Sequence, residues 1–238
     1  MRPTLIVFAR APVAGRCKTR LIPVLGADGA AHLYARLLQK TLVSAEALPS
    51  WRLRLQALDA DARRFFLSRL DQRRWDVRLQ EGTDLGVRMV RALNEAVVGG
   101  TPALLIGSDI LDWALDDLTE AASALVGAGD VAIAPAYDGG FWLLGTRAPL
   151  PESLFSEVRW GTSEVFVRAT ARLVELGVQV STFSARHDID VPADLERHAE
   201  ALAKLSPADH LVEGLGGAGD RPGSSGAASS LTGSSGSN

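Results

Sequence analysis

The sequence lacks two features that define large classes of protein. Cys17 is its one cysteine in 238 residues, so an intrachain disulfide is excluded and a reducing compartment is indicated. Long apolar runs are also missing, and the run at residues 5–9 is too short for a membrane span or the core of a signal peptide. We therefore expect a cytoplasmic protein with no membrane span.

Positive charge is not in excess either. The chain has 25 basic and 28 acidic residues, a formal net charge of -3, which argues against a broad nucleic-acid-binding surface but leaves room for local basic pockets. Hydrophobic residues make up 47% and charged residues 22%, the balance of a globular domain. The length permits one large α/β domain. We expect no nucleic-acid partner, and the composition does not indicate an oligomeric state.

Several standard active-site motifs are absent. No Gly-x-Ser-x-Gly elbow occurs, which excludes the usual α/β-hydrolase nucleophile. The loop after the first apolar run is neither a Walker A motif, because Lys18 follows a cysteine rather than a glycine, nor a dinucleotide fingerprint, because it holds only one glycine. No two histidines have metal-ligand spacing.

What is present is a regular alternation of apolar strand patterns and amphipathic helix patterns. Strands are predicted at residues 5–9, 53–58, 77–79, 103–106, 131–134, 141–145 and 178–183, and helices at 28–48, 60–70, 84–98, 115–126, 163–176 and 191–205. This order predicts one α/β domain over residues 1–213, a sheet with helices on both faces. Residues 214–238 are rich in glycine and serine, which predicts a disordered tail.

The loop after the first strand carries a cluster of cations around Gly15. Because ligands of open α/β sheets bind at the carboxyl ends of strands, Arg10, Lys18 and Arg20 there suit a polyphosphate. The alternative is a basic loop that only contacts water. We expect Lys18 and Arg20 to be exposed, so that alanine substitutions weaken nucleotide binding and leave stability unchanged.

Two aspartates are candidate metal ligands. Asp109 follows the clearest buried strand, and Asp190 lies just before a helix that begins with Pro192. Each has a simpler explanation, since Asp109 can cap the following turn and Asp190 can cap the helix. An extended chain would place Asp188 on the same side as Asp190. We predict that Asp109 and Asp190 share one divalent metal ion, Mg²⁺ or Mn²⁺, in the nucleotide complex.

Two further segments allow both a structural and a functional interpretation. Asp138, Gly139 and Gly140 form a tight turn, which suits either a plain hairpin or a close approach of the backbone to a ligand. Asp84 precedes a helix whose first N–H groups are able to bind an anion, although a simple helix cap is at least as good an explanation.

Together these segments resemble one family, the radical-SAM/selenodomain-associated transferases, which are glycosyltransferase-A-like and include proteins assigned to arsenosugar biosynthesis. The resemblance spans about residues 4–205. A short stretch, residues 18–21, is also similar to the guanylyltransferase of deazaflavin-cofactor synthesis. The motifs that carry the family resemblance are residues 9–12 with Gly15, and residues 18–21, 82–89, 107–109, 138–141, 160–162 and 188–195.

The resemblance implies a nucleotide-diphospho-sugar transferase fold: three α/β/α layers around a mostly parallel, mixed sheet. It implies a metal-dependent transferase that takes a nucleotide sugar, or as the alternative a nucleoside triphosphate, and a small-molecule acceptor. A catalytically silent nucleotide-binding module is the third possibility. Family members continue Gly-Ser-Asp with Cys-Pro, whereas this chain continues with Ile110 and Leu111.

By the same resemblance each candidate residue receives a role. Lys18 and Asp109 are the expected catalytic residues, and Asp109 and Asp190 are the expected metal ligands. Phosphate-binding and acceptor-binding roles fall on two further groups of residues. These are Arg10, Gly15, Lys18, Arg20 and Asp84 for the nucleotide, and Asp138, Gly139, Gly140 and Trp160 for the acceptor.

Overall fold

A computed structural model describes residues 2–127 and 130–212 of the chain. The predicted tail, residues 214–238, lies outside the described residues. None of the described helices combines the length and the apolar character needed to cross a membrane.

The centre of the molecule is a seven-stranded mixed sheet in the order β3-β2-β1-β4-β6-β5-β7. Strand β6 is antiparallel to both of its neighbours, and every other pair is parallel. The strands are β1 (Thr4–Ala9), β2 (Arg52–Ala57), β3 (Trp75–Leu79), β4 (Ala103–Ile106), β5 (Val131–Pro135), β6 (Phe141–Thr146) and β7 (Val180–Thr182). All seven lie within one or two residues of the predicted positions, because their apolar runs are short and β-branched or leucine-rich.

Eight helices surround the sheet in the described part of the chain. They are α1 (Ile22–Glu46), α2 (Ala60–Leu67), α3 (Leu85–Ala96), α4 (Leu115–Gly127), α5 (Val165–Glu175), α6 (Pro192–Arg197), α7 (Ala199–Ala203) and α8 (Asp209–Val212). Leu5 and Val7 of β1 pack on the face shared with α1, α2 and α4, whereas Ile6 packs with α3 and α5. Helices therefore cover both faces, and the predicted three-layer α/β/α architecture is confirmed.

Several helix boundaries differ from the sequence prediction, and α2, for example, ends at Leu67 rather than at residue 70. The first helix begins at Ile22, but Gly26 interrupts it at φ 71° and ψ 168°, a conformation that glycine adopts easily. The last predicted helix is divided in two at His198, whose non-helical backbone separates α6 from α7. Helix α5 begins at Val165 rather than at residue 163, and its N-cap residue is Glu164.

Candidate nucleotide-binding site

The candidate site lies where β1 and β4 end side by side. These strands are parallel neighbours, so the loop after Ala9 and the segment after Ile106 leave the sheet at the same edge. The hydroxyl of Tyr34, from α1, joins the two: it lies 2.7 Å from Ser108 Oγ and accepts a hydrogen bond from the backbone N–H of Arg10 at 3.1 Å. Helix α1 thus fixes the spacing between the basic loop and the aspartate segment.

Lys18 lies at the centre of this edge. Its ammonium group donates to Asp109 Oδ2 at 2.7 Å and lies 3.6 Å from Asp190 Oδ1. The side chain is only 4% exposed. The expectation that Lys18 is exposed is therefore wrong, because the loop folds back and buries its lysine between carboxylates. Alanine at this position would leave the Asp109 carboxylate without its ion-pair partner, so it affects stability as well as binding.

Arg20 differs from Lys18 in its exposure. Its guanidinium donates to Asp190 Oδ2 at 2.8 Å, and its side chain is 65% exposed. Asp190 does not cap the last helix, since the carboxylate of Asp194 accepts the N–H groups of Asp190 and Val191 instead. The capping interpretation of Asp190 is therefore wrong, and its side chain is available to the cations.

The charges at this site shift one another's protonation. Burial alone would lower the pKa of Lys18, but the carboxylates of Asp109, Asp190 and Asp188 together outweigh burial and raise it. Burial would likewise raise the pKa of Asp109, yet the Lys18 ammonium holds it below its usual value. Asp188 behaves differently: burial and the charges of Asp138 and Asp109 raise its pKa to about 6.

The tight turn at residues 136–140 is a hairpin turn between β5 and β6, and it also borders the site. Its backbone closes through a 2.9 Å hydrogen bond from the N–H of Ala136 to the carbonyl of Gly140, and the carboxylate of Asp138 accepts the N–H of Gly140. Asp138 and Asp188 line a cavity of about 180 Å³ that also includes Arg20. Both interpretations of this turn are thus compatible with its position.

Asp84 and Trp160 are held by packing contacts. Asp84 is the N-cap of α3 and accepts the N–H of Val87 at 3.0 Å, as the capping interpretation predicts. Trp160 is half-buried and its ring centroid lies 5.6 Å from that of Phe155. A Cβ atom added to Gly86 would lie 2.5 Å from Phe155 and 3.1 Å from Trp160, so the Trp160 segment packs closely on α3.

The remaining phosphate-loop residues are placed on the surface. The guanidinium of Arg10, an exposed residue, donates to the carbonyl of Arg16 at 3.1 Å, which closes the loop. Gly15 adopts φ 77° at an exposed position with no atom within 4 Å of an added Cβ. Arg10 and Gly15 therefore shape the loop that carries Lys18 towards Asp109.

Two contributions to the site were not assigned from the sequence. The Tyr34–Ser108 contact joins residues 74 positions apart, and Tyr34 reads as an ordinary inward-facing position of an amphipathic helix. Asp188 was singled out only for sharing a side with Asp190. Its place is fixed by an isolated bridge to Ile110, which brings it beside the end of β4.

The side chains present fit a hard divalent cation completed by phosphate oxygens. Asp109, Asp188 and Asp190 offer carboxylate oxygens, the ligands that Mg²⁺ prefers, and the pKa of Asp188 is raised first by burial and then by the neighbouring carboxylates. Within residues 2–127 and 130–212, however, no three acidic, histidine or cysteine side chains are grouped to hold a metal ion by themselves. Oxygens of a bound nucleotide would therefore have to complete the coordination.

Three solved structures with the same fold are described as a nucleotide-diphospho-sugar transferase, a synthase and a CTP transferase. A protein of Desulfovibrio desulfuricans G20, provisionally described as a nucleotide-diphospho-sugar transferase, is 27% identical with a TM-score of 0.74, over 86% of this chain and 99% of that one. The 4-diphosphocytidyl-2C-methyl-D-erythritol synthase of Anaerococcus prevotii DSM 20548 is 11% identical, TM-score 0.55, over 85% and 99%. The inositol-1-phosphate CTP transferase of T. maritima is 16% identical, TM-score 0.51, over 90% and 97%.

The fold is that of a nucleotide-diphospho-sugar transferase-like domain of the glycosyltransferase-A type. The chain belongs to the DUF2064 family, described as uncharacterized proteins conserved in bacteria, whose model matches residues 41–162. That range includes Asp84, Asp109 and Trp160, whereas Lys18 and Asp190 lie outside it. No curated protein matches the chain significantly.

Proposed function

We propose that the protein is a metal-dependent transferase that moves a glycosyl group from a nucleotide sugar to a small-molecule acceptor. One observation carries this proposal: a buried ammonium, Lys18, is held between Asp109 and Asp190 at the carboxyl ends of the strands. Ligands of open α/β sheets bind at this edge. A lone cysteine, Cys17, further supports a cytoplasmic setting.

The cations of this edge suit a diphosphate leaving group. When the bond from the sugar to the diphosphate breaks, negative charge develops on the departing oxygens, and fixed cations stabilise that charge. Lys18 and Arg20 supply two such cations, and Arg10 and Gly15 shape the loop that presents them. Bound Mg²⁺ or Mn²⁺, held by Asp109 and Asp190, would act as a Lewis acid on the diphosphate oxygens.

The acceptor side is proposed to lie at the hairpin turn. Asp138 borders the same cavity as Arg20, and Gly139 and Gly140 follow it in the turn, where Asp138 accepts the N–H of Gly140. Trp160 lies shortly before the start of α5 in the sequence. Gly139 of the hairpin turn packs against Ser163, which belongs to the same segment. An acceptor hydroxyl that enters here would attack the anomeric carbon and displace the nucleoside diphosphate.

Nucleotidylyl transfer is the second candidate. In that reaction an acceptor phosphate attacks the α-phosphorus of a nucleoside triphosphate and releases pyrophosphate, and the same cations would stabilise the leaving group. Its support is the similarity of residues 18–21 to the deazaflavin-cofactor guanylyltransferase. The proposed association with radical-SAM and arsenosugar enzymes rests on the family resemblance of the sequence motifs.

Ile110 and Leu111 stand where family members have Cys-Pro. Their contacts bear on the possibility that the protein is a catalytically silent nucleotide-binding module. Ile110 is buried and pairs with Asp188, and Leu111 packs with Ile189 in a small core cluster. These apolar residues therefore hold the Asp188–Asp190 segment beside Asp109. The substitution keeps the carboxylates together, which favours a functional site over a silent one.

The product identifies the reaction. We expect thermal shifts with nucleotide sugars only when Mn²⁺ is present, because a ligand that binds the native state stabilises it by about 2.7 kcal/mol at one hundred times its dissociation constant. Phosphorus NMR then separates the candidates, since glycosyl transfer releases a nucleoside diphosphate and nucleotidylyl transfer releases pyrophosphate. No shift with any nucleotide or nucleotide sugar, with or without metal, would contradict the proposal.

Arg20 offers the cleanest variant. Its side chain is 65% exposed, so Arg20→Ala should retain the fold and weaken nucleotide binding about tenfold, the loss of one charge-assisted contact. Arg168→Ala on α5 is the control, because Arg168 is also exposed and also pairs with a carboxylate, Glu164. Calorimetry should show weaker binding only for Arg20→Ala, and equal binding by the two variants would contradict the role of Arg20.

A further inference from the structure

A second basic cavity opens at the opposite end of the sheet. It has a volume of about 540 Å³ and lies beside the amino ends of β1, β2 and β3, against the last turn of α3. The candidate nucleotide site lies at the carboxyl ends, roughly 16 Å away along β1 at about 3.3 Å per residue. Six arginines line the cavity: Arg2, Arg52, Arg54, Arg63, Arg73 and Arg74.

Ion pairs account for only part of this charge. The two acidic side chains of the lining, Asp76 and Glu95, are both shared between Arg54 and Arg78. The two negative charges of Asp76 and Glu95 are therefore balanced by the positive charges of Arg54 and Arg78. Arg73 is matched as well, because it pairs with the carboxylate of Asp71 at 3.0 Å.

Four guanidinium groups are left without a carboxylate. Arg63 donates to the carbonyl of Val77 at 3.4 Å, and Arg74 donates to the carbonyls of Trp51 and Leu48. Arg2 and Arg52 make no side-chain hydrogen bond or ion pair with any residue in the described ranges. The cavity thus holds a surplus of about four positive charges in a chain whose formal net charge is -3.

The wall of the cavity is formed by buried side chains and is partly apolar. Arg54, with a side chain only 10% exposed, extends from the centre of β2, and its Nη1 atom makes no hydrogen bond within the described residues. Trp51 and Trp75 form the floor and are 6% and 1% exposed. Burial and the neighbouring Arg78 guanidinium lower the pKa of Arg54, whereas the carboxylates of Asp76 and Glu95 act in the opposite direction.

We propose that this cavity is a binding site for a small polyanion that carries two or more phosphate groups, separate from the nucleotide site. Four unmatched guanidinium groups equal the charge of two phosphates, and arginine is the side chain best suited to bind phosphate oxygens in pairs. The volume fits a small molecule. An extended nucleic acid would need a broad basic surface, which the net charge of -3 disfavours.

Inorganic tripolyphosphate in metal-free buffer is the probe. We expect one binding event in the wild-type chain that Arg20→Ala retains, and at least a tenfold weaker affinity in the double variant Arg2→Ser/Arg52→Ser. Both of those arginines are exposed, so thermal melting should show that the variant is folded. The control is Arg168→Ser/Arg172→Ser, which removes the same charge from exposed positions on α5 and should change the affinity less than twofold.

Hydrogen exchange locates the site. Tripolyphosphate should slow exchange in residues 51–54 and 72–77, and it should do so in Arg20→Ala as well. The proposal is overturned if Arg2→Ser/Arg52→Ser binds the probe as the wild type does, or if the α5 control loses as much affinity. It is also overturned if a single-stranded oligonucleotide binds through Arg2 and Arg52 more tightly than tripolyphosphate. Nucleotide-sugar turnover by Arg2→Ser/Arg52→Ser tests the proposed function separately.

Discussion

At the scale of single residues, Lys18 shows how a site imposes an uncommon conformation. It has φ 47°, and no other non-glycine residue in the described ranges has a positive φ. Such a backbone is strained for a residue with a Cβ atom, and it persists where surrounding contacts determine it. At Lys18 these contacts are the ones with Asp109 and Asp190, so the strained backbone is maintained by the buried ion pairs.

Cys17, the neighbour of Lys18, should be chemically inert in the folded protein. It is 1% exposed, its thiol donates to the carbonyl of Val13, and burial raises its pKa to about 11. Since the thiolate is the reactive form, labelling by a thiol reagent at pH 8 should be at least a hundredfold slower in the native protein than in denaturant. Because there is one cysteine, labelling kinetics report this site alone; native labelling as fast as in denaturant would contradict its burial.

At the scale of elements, the site depends on the hairpin turn fitting against the start of α5. The carbonyl of Gly139 accepts the N–H of Phe166 at 2.9 Å. Gly139 has φ 92°, and an added Cβ would lie 2.3 Å from the carbonyl oxygen of Ser163. The glycine is required by both its conformation and the close approach of a second backbone segment.

Gly139→Ala should therefore lower the unfolding free energy more than a glycine-to-alanine substitution that causes only backbone strain, without a steric clash. Gly161→Ala is the matched control, because Gly161 has φ 78° and nothing lies within 4 Å of an added Cβ. We expect the control to cost about 1 kcal/mol of unfolding free energy and Gly139→Ala at least about 2 kcal/mol more. Urea unfolding measures both; equal losses would show that α5 does not press on the turn.

At the scale of the whole molecule, Lys40 connects α1 to the loop before α4. Its ammonium donates to the carbonyl of Trp113 at 3.2 Å and lies 5.0 Å from the Trp113 ring centroid. Burial lowers its pKa to about 8 from an ordinary value of 10.5, although Asp112 and Asp117 oppose the shift. The folded chain therefore releases this proton at a lower pH than the unfolded chain.

Stability should consequently rise with pH between about 8 and 10.5. Below pH 8 Lys40 is protonated in both the folded and the unfolded chain, and the folded chain bears the full free-energy cost of burying its charge. Above pH 8 Lys40 loses its proton in the folded chain before it does so in the unfolded chain, and this cost disappears. The gain is at most about 3 kcal/mol, from 1.36 kcal/mol per pKa unit. Denaturant unfolding across this range should show the rise in the wild type, relative to Lys40→Met. Parallel curves for the two proteins would contradict the assignment.

Local patterns predicted most of the architecture. The strand at residues 103–106 has the predicted limits, and α4 extends one residue beyond its predicted end, because apolar runs and helical periodicity are recorded in adjacent residues. The candidates Lys18, Asp109 and Asp190 were found for a related reason: strand ends can be recognised, and polar residues after them are conspicuous. The sequence does not show that an inserted antiparallel strand, β6, separates β4 from β5.

The tertiary structure alone decided which side chains meet. Lys18 contacts Asp109 across 91 positions of sequence, and that contact requires β1 and β4 to be neighbours in the sheet. It also placed Arg2 and Arg52, 50 positions apart in the sequence, beside one cavity. Sequence determines elements because propensity and periodicity act over a few residues. Contacts between distant loops depend on strand order and register, which arise only when the whole sheet packs.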